Sequence, residues 1–299
     1  MIKLDGVAAF VAIADAGSIT EAARRLKISK SVVSERLSEL ERGLGAALLQ
    51  RTTRRLSVTE DGAAFLERAR RILREVEDAS AELSERRGAL SGPLRLSGPV
   101  SFGSLHLGPA LYPFLKANPD IDLRLDLDDR FVNIDGDGYD AVVRHGPVED
   151  SRLIARRLAD SRRLLVASPD YLEQHGTPRD LADLSSHCAV LYANRGDADW
   201  RFEGPDGATV VRPRTSLRVN NGLVMRDAAV AGLGIALLPT FICYRELDSG
   251  ALKPVEVGAV AESAMVYIAY PSGRGSSAKI QALVDCLRQA FGDPPYWDR

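Results

Sequence analysis

Cysteine is scarce and scattered: Cys188, Cys243 and Cys286 are odd in number and far apart. That argues against a disulfide framework and for free, buried thiols. No CxxC or HxxxH spacing occurs, so neither a metal nor a metal cofactor is expected. Apolar residues never run to the roughly 18 that a membrane helix needs. The opening stretch, MIKLDGVAAFVAIADAGS, is apolar but broken by Asp5 and Asp15. It lacks the basic segment that begins a secretory signal, and reads as a folded helix of a cytoplasmic protein. Internal repeats and low-complexity tracts are missing. So are a G-x-S-x-G elbow and a P-loop. GLG at 232–234 follows a helix and precedes a strand, the reverse of the dinucleotide-binding order. His187 and Cys188 are sequence neighbours, which does not turn their side chains toward each other. No catalytic residue is expected, and the chain is not read as an enzyme.

What remains is a globular composition, 45% apolar and 27% charged, over 299 residues. That length makes two domains the natural expectation. The net charge of -2 conceals an asymmetry. Residues 1–60 carry ten Lys and Arg against seven Asp and Glu, a net of +3, leaving -5 for the remainder. A basic end on an acidic protein points to a polyanionic partner for that end.

Periodicity predicts a helix from Leu4 to Ala16, with Val7, Phe10, Val11 and Ala14 on one stripe. Ser18 and Glu21 have capping-box spacing and open a short helix, Ile19 to Leu26. Ser29 caps the next, which begins at Lys30. Two short helices so joined form a helix-turn-helix, supported by Ala22, Ala23, Leu26, Val33, Leu37 and Leu40. RTTRRLSV, residues 51–58, suits a small β-wing around Arg54 and Arg55. Thr59 opens a long helix, about Gly62 to Arg87, in which Phe65, Ala69, Ile72, Val76, Ala79 and Leu83 form a heptad seam. A seam with nothing nearby to cover it points to dimerisation. GALSGP, residues 88–93, is a hinge. Beyond it strands alternate with helices, which predicts an α/β fold with mainly parallel sheets.

At this point the N-terminal residues resemble the LysR-type transcriptional regulators. The resemblance rests on Ala22-Ala23, Leu26, Ser29, Val33-Ser34, Leu37, Leu40-Glu41, Leu44-Gly45, Leu48, Arg51, Leu56, Thr59 and Gly62. LRLSGPVSFG, RRLLVASPDYL and AGLGIALLP are similar to that family's effector-binding domain. The resemblance implies a winged helix-turn-helix at 1–60, a dimerisation helix and hinge at 61–90, and an effector-binding domain at 91–299. That domain would be α/β and two-lobed, similar to periplasmic solute-binding proteins. Lobe 1 is expected at about 91–167 plus 268–299, and lobe 2 at about 168–267. Three positions depart from the family: Lys30, Glu35 and Leu49.

Family and chemistry together nominate the sites. Lys30, Ser31, Ser34 and Glu35 start the second helix of the motif, the part that enters the major groove. Lys30 would donate to guanine, and Ser31 or Ser34 would contact a base or phosphate. Glu35 would accept from cytosine or orient Arg36; Arg51, Arg54 and Arg55 would meet phosphates or the minor groove. Ser101, Phe102, Arg130, Phe131, Arg144, His145, Asn220 and Asn221 lie at strand ends or helix starts, where such sheets bind ligands. They would hold a small-molecule effector, a carboxylate by the chemistry of free amides at Ser101. Double-stranded DNA and a second copy of the chain are the expected partners. The resemblance adds a homotetramer and leaves RNA polymerase open. Asn220 as a helix cap and Arg144 as a structural ion pair stay open beside the binding roles. The rival is a cytoplasmic small-molecule-binding protein of solute-binding type without DNA activity.

Overall fold

Local signals at each end fix the first three helices. α1 (Leu4–Ala16) closes at Gly17, whose amide reaches the Ile13 carbonyl. α2 (Ile19–Leu26) opens on Ser18 and closes on Lys27, which takes the left-handed conformation (φ 54°). α3 (Lys30–Leu44) is capped by the Ser29 hydroxyl, which accepts from Val32 N at 3.3 Å. Only half of the predicted capping box forms. Ser18 Oγ accepts from Glu21 N, but the Glu21 carboxylate turns to Arg24 Nη2 at 2.6 Å. Those arginine bonds hold its pKa down to about 2. A guanidinium one turn away outcompetes the backbone amide for an exposed carboxylate.

The wing follows: β1 (Leu49–Arg51) pairs antiparallel with β2 (Leu56–Val58). Glu41 Oε1 accepts from the amides of Leu48 and Leu49, at 2.8 and 3.1 Å, and so ties the end of α3 to the wing. α4 (Glu60–Glu85) is capped by Thr59, whose hydroxyl donates to Ala47 O and accepts from Gly62 N. At Gly62 the helix touches the wing backbone. A Cβ there would stand 2.0 Å from the Leu48 carbonyl oxygen. Gly62→Ala is expected to cost the headpiece about 2 kcal/mol through forced separation of α4 and wing. An unchanged melting temperature in a thermal scan would count against this contact.

The structure, a computed structural model, describes residues 2–51, 56–85, 90–130, 134, 138–146, 150–194, 200–204, 207–272 and 277–299. It divides into one unit of Met1–Gly92 with Gly136–Gly138, and another of Pro93–Asp135 with Tyr139–Arg299. No helix among the described residues is long and apolar enough to cross a membrane.

The second unit holds two five-stranded sheets. In chain order its elements are β3 (Gly92–Gly98), α5 (Val100–Phe102), a π-helical turn (Gly103–Leu107), α6 (Gly108–Ala117), β4 (Ile121–Leu127), β5 (Ala141–His145), β6 (Leu153–Ser161) and β7 (Arg163–Ala167). Then come α7 (Pro169–His175), β8 (Cys188–Tyr192), β9 (Arg201–Gly204), β10 (Gly207–Val210), β11 (Arg214–Val219), α8 (Gly222–Val230), β12 (Ile235–Pro239) and α9 (Thr240–Asp248). The chain closes with β13 (Lys253–Pro254), β14 (Val260–Ala261), β15 (Ala264–Pro271) and α10 (Ala278–Phe291).

The first lobe's sheet runs β4-β3-β5-β15-β6 and the second's β11-β8-β12-β7-β13. Both are mixed, where alternation alone predicts mainly parallel pairing. β3 lies parallel to β5, but β15 is antiparallel to both β5 and β6. β7 likewise opposes β12. The cause is the path of the chain: strands that leave one lobe and return to it enter from opposite ends. Because β7 already belongs to the second sheet, the lobes change over at Arg162, earlier than 167, and the return comes at Ala264, earlier than 268. β9 and β10 pair as a hairpin, with Gly204 opposite Gly207, and β14 extends it to three strands.

Candidate functional site

The recognition element is one helix with two unlike faces. Val33, Leu37 and Leu40 of α3 are buried with Phe10, Ile13 and Ala22 in the headpiece core. Burial of each such side chain stabilises by roughly 1.5–3 kcal/mol. Lys30, Ser31 and Glu35 are exposed and Ser34 is half-buried. Ser31 Oγ lies 2.8 Å from Ser29 Oγ, so the capping serine also orients a serine of the exposed face. Arg36 has another use: Asp5 of α1 holds its Nη2 at 2.8 Å. Arg51 lies in β1, although its side chain is outside the described residues, as are Arg54 and Arg55 altogether.

The predicted seam of α4 divides in two. Phe65 stacks near Phe10, with centroids 5.8 Å apart, and Ala69 is fully buried in the headpiece core. These two residues serve their own headpiece, because the first turns of α4 form its fourth helix. Ile72 and Val76 are 46% and 43% exposed, and Ala79 is exposed. The Leu83 side chain lies outside the described residues.

A cleft between the two sheets encloses a cavity of about 100 Å³, small beside the roughly 300–1,000 Å³ of most ligand pockets. Ser101, Phe102 and His145 line it from the first lobe, as their positions at strand ends predict. Gly222, Met225, Leu237, Phe241 and Ile242 face them from the second. Ser101 is buried, and its hydroxyl would lie 3.3 Å from a Cβ built on Gly222. The same Cβ would stand 2.4 Å from Ile242 Cδ1, so any side chain at the start of α8 would push the cleft wall aside. Asn221 puts Gly222 there by capping: its Oδ1 accepts from Leu223 N and Val224 N at 3.0 and 3.2 Å. His145 Nε2 meets Ser161 Oγ at 2.5 Å, which fixes the ring at the cleft edge.

Other nominated residues go elsewhere. Asn220 is exposed and does not line the cavity. Arg130 is exposed and held by Asp128 at 2.9 Å. Arg144 donates to Val143 O and Ser97 Oγ, and burial lowers its pKa. Among the described residues it braces β5 to β3 by these hydrogen bonds, and the charges of Asp128 and Asp129 also act on it. Phe131 lies outside the described residues. The amides expected to favour a carboxylate are also altered: Asp129 Oδ1 accepts from Val100 N at 2.9 Å, so the chain supplies its own anion at that turn. Asp129, Arg163 and Tyr192 line the cavity and were not nominated. Asp129 follows β4 beside Arg130, so the strand-end argument that chose Arg130 points to it as well.

A winged headpiece with an exposed polar helix, joined to a two-lobed α/β domain with a cleft, defines a DNA-binding regulator. Residues 4–63 match the family profile of the bacterial regulatory helix-turn-helix protein, lysR family, and residues 87–292 match the LysR substrate binding domain. The chain belongs to the LysR family of transcriptional regulators. It is 34% identical over 292 residues to HTH-type transcriptional regulator DmlR of Escherichia coli (strain K12), across 97% of this chain and 95% of that protein. It is 33% identical over 300 residues to PtxR of Pseudomonas aeruginosa, across 99% of this chain and 95% of that protein. Its structure is similar to CrgA, a LysR-type transcriptional regulator from Neisseria meningitidis, with TM-score 0.62, 29% identity, and 95% and 97% of the two chains covered. It is also similar to the full-length Vibrio cholerae virulence activator AphB, with TM-score 0.63, 27% identity, and 95% and 98% covered.

Proposed function

We propose that this regulator binds a roughly palindromic operator as a dimer and responds to a small molecule held in the cleft between its lobes. The observation that carries the reading is α3, whose apolar face is buried while Lys30, Ser31 and Glu35 stand exposed at its N-terminal half. In a helix-turn-helix that half enters the major groove. Lys30 donates to guanine O6 or N7, Ser31 and Ser34 contact a base or phosphate, and Glu35 accepts from cytosine N4. Arg51, Arg54 and Arg55 on the wing meet the backbone or the minor groove. Arg36 positions α3 against α1 through Asp5. Two headpieces joined through α4 read two half-sites, hence the symmetry of the operator. A dimer of dimers is what the family resemblance adds.

Asp129 at the turn before Ser101 favours effectors with no more than one acidic group, or with a donor facing that carboxylate. The apolar wall of Phe102, Phe241, Leu237 and Ile242 favours a compact apolar body. Binding shifts a population only insofar as the ligand prefers one lobe arrangement over another.

A gel-shift series on the upstream intergenic DNA tests the reading. A headpiece with about six phosphate contacts loses roughly a thousandfold in affinity between about 50 and 200 mM salt. Lys30→Gln is expected to change the preferred base at one operator position by about tenfold. Its stability should stay within about 0.5 kcal/mol of the parent, as for an exposed side chain. No shift at low salt on any fragment would favour the solute-binding rival instead.

A further inference from the structure

The cleft's back wall is an aromatic cluster assembled from three parts of the chain. Phe102 comes from the first lobe, Phe241 from α9 of the second, and Trp297 from the 3-10 turn Tyr296–Asp298 that follows α10. Phe102 meets Phe241 edge to face at 5.1 Å and Trp297 likewise at 5.9 Å. Phe102 and Phe241 also line the cavity. The two rings that a ligand would touch are thus backed by Trp297, itself buried.

A hydrogen-bond line threads the same cluster. His106 Nε2 lies 2.8 Å from the Phe241 carbonyl and Nδ1 lies 2.5 Å from the Tyr296 hydroxyl. A carbonyl only accepts, so Nε2 carries the proton of the neutral ring and Nδ1 accepts from Tyr296. One imidazole of the first lobe therefore joins the second lobe to the C-terminal turn. Tyr296 also packs on Tyr244 of α9 at 6.1 Å.

The seat of the turn is poor in polar contacts. Trp297 Nε1, Asp298 Oδ1 and Glu246 Oε2 are buried with no hydrogen-bond partner among the described residues. Asp298 Oδ1 comes no nearer than 4.0 Å to Arg162 Nε, on the residue where the chain passes between lobes. Buried polar atoms left unpaired weaken the state that buries them. Ring packing and the Tyr296–His106–Phe241 line hold the segment, against that cost.

We propose that Tyr296–Asp298 is a strap that sets the spacing of the two cleft walls, with Tyr296, His106 and Trp297 as positioning residues for the effector. Its relevance to signalling rests on the effector reading above, but the wall spacing is measurable with no effector present.

The test is amide hydrogen exchange by mass spectrometry on full-length Tyr296→Phe, Trp297→Ala and Trp297→Phe. Tyr296→Phe and Trp297→Ala should speed exchange in residues 100–107 and 240–244 by about tenfold while β8 and β12 keep parental protection. Trp297→Phe should stay within about twofold of the parent, because no described group accepts from the indole N–H and the ring packing survives. Unchanged exchange in both wall segments overturns the strap, and so does an equal rise in β8 and β12, which marks general destabilisation. If Trp297→Ala fails to fold, Tyr296→Phe decides alone. A protein that binds no DNA yet shows the expected pattern would overturn the regulator reading and leave the strap standing.

Discussion

Full-length protein carrying Ile72→Glu and Val76→Glu is expected to run as a monomer and to bind its operator about a hundredfold to ten-thousandfold more weakly. The reason lies in how α4 divides its apolar residues. Phe65, Leu66, Ala69 and Leu73 pack on the headpiece core. Ile72 and Val76 remain 46% and 43% exposed, one helical turn apart on the outer face. A paired helix would cover them, and two carboxylates in that seam would be stripped of water without a partner. The headpiece itself keeps its covered face, so its own melting should hardly move. The large loss arises because two linked headpieces on two half-sites gain an effective concentration that one headpiece lacks. Light scattering and a gel shift on the same sample check both parts. A dimer of parental affinity would remove α4 from the interface.

The second large effect concerns pH. His106 is buried, and burial lowers its pKa to about 4, with the charge of Arg245 adding to the same direction. In the unfolded chain the ring titrates near 6.5. Between these values the unfolded chain binds a proton that the folded chain refuses. Stability is therefore complete above about pH 6.5 and falls as pH drops toward 4, by about 3 kcal/mol in total from this residue. Protonation also ends the acceptance from Tyr296, since both ring nitrogens then donate. Urea unfolding followed by tryptophan emission reports this domain alone, because Trp200 and Trp297 are the only two tryptophans and both lie in it. His106→Gln should flatten the slope between pH 4 and 6.5. A variant with the parental slope would show that other groups carry the acid sensitivity.

The headpiece was largely legible because its instructions are local. Ser18, Gly17 and Ser29 each sit within a turn of the helix end they define, so the end of α1 and the starts of α2 and α3 are legible from sequence. The apolar stripe of α3 was visible for the same reason. What escaped was set by partners distant in the chain. Asp5 claims Arg36 from 31 positions away, and nothing in KSVVSERL announces it. The heptad of α4 is apolar in sequence, yet spacing cannot say which turns the headpiece will cover. In the second unit β6 is hard to recognise from sequence because LIARRLADS carries charges on both faces of a strand buried only in part. β8, CAVLY, is a short apolar run that periodicity leaves ambiguous. In the cleft, strand ends led to Ser101, Phe102 and His145 but missed residues whose importance is purely spatial. Phe241 and Arg163 become cleft residues only once the lobes are placed face to face.

One feature of the two lobes constrains any motion between them. The outgoing passage is the single residue Arg162 between β6 and β7, and the returning one is Glu262–Ser263 between β14 and β15. They are neighbours in space, since Ala264 pairs with Ser161 in the first sheet. Two short cords tied side by side behave like the leaves of a door hinge. They favour a swing about the line that joins them, restrained further by the Tyr296–His106–Phe241 line. A ligand in this cleft therefore has one favoured coordinate on which to write, an angle, and displacement grows with distance from that line. The ends of the lobes farthest from Arg162 are where a small change at the cleft becomes large enough for a neighbouring subunit to feel.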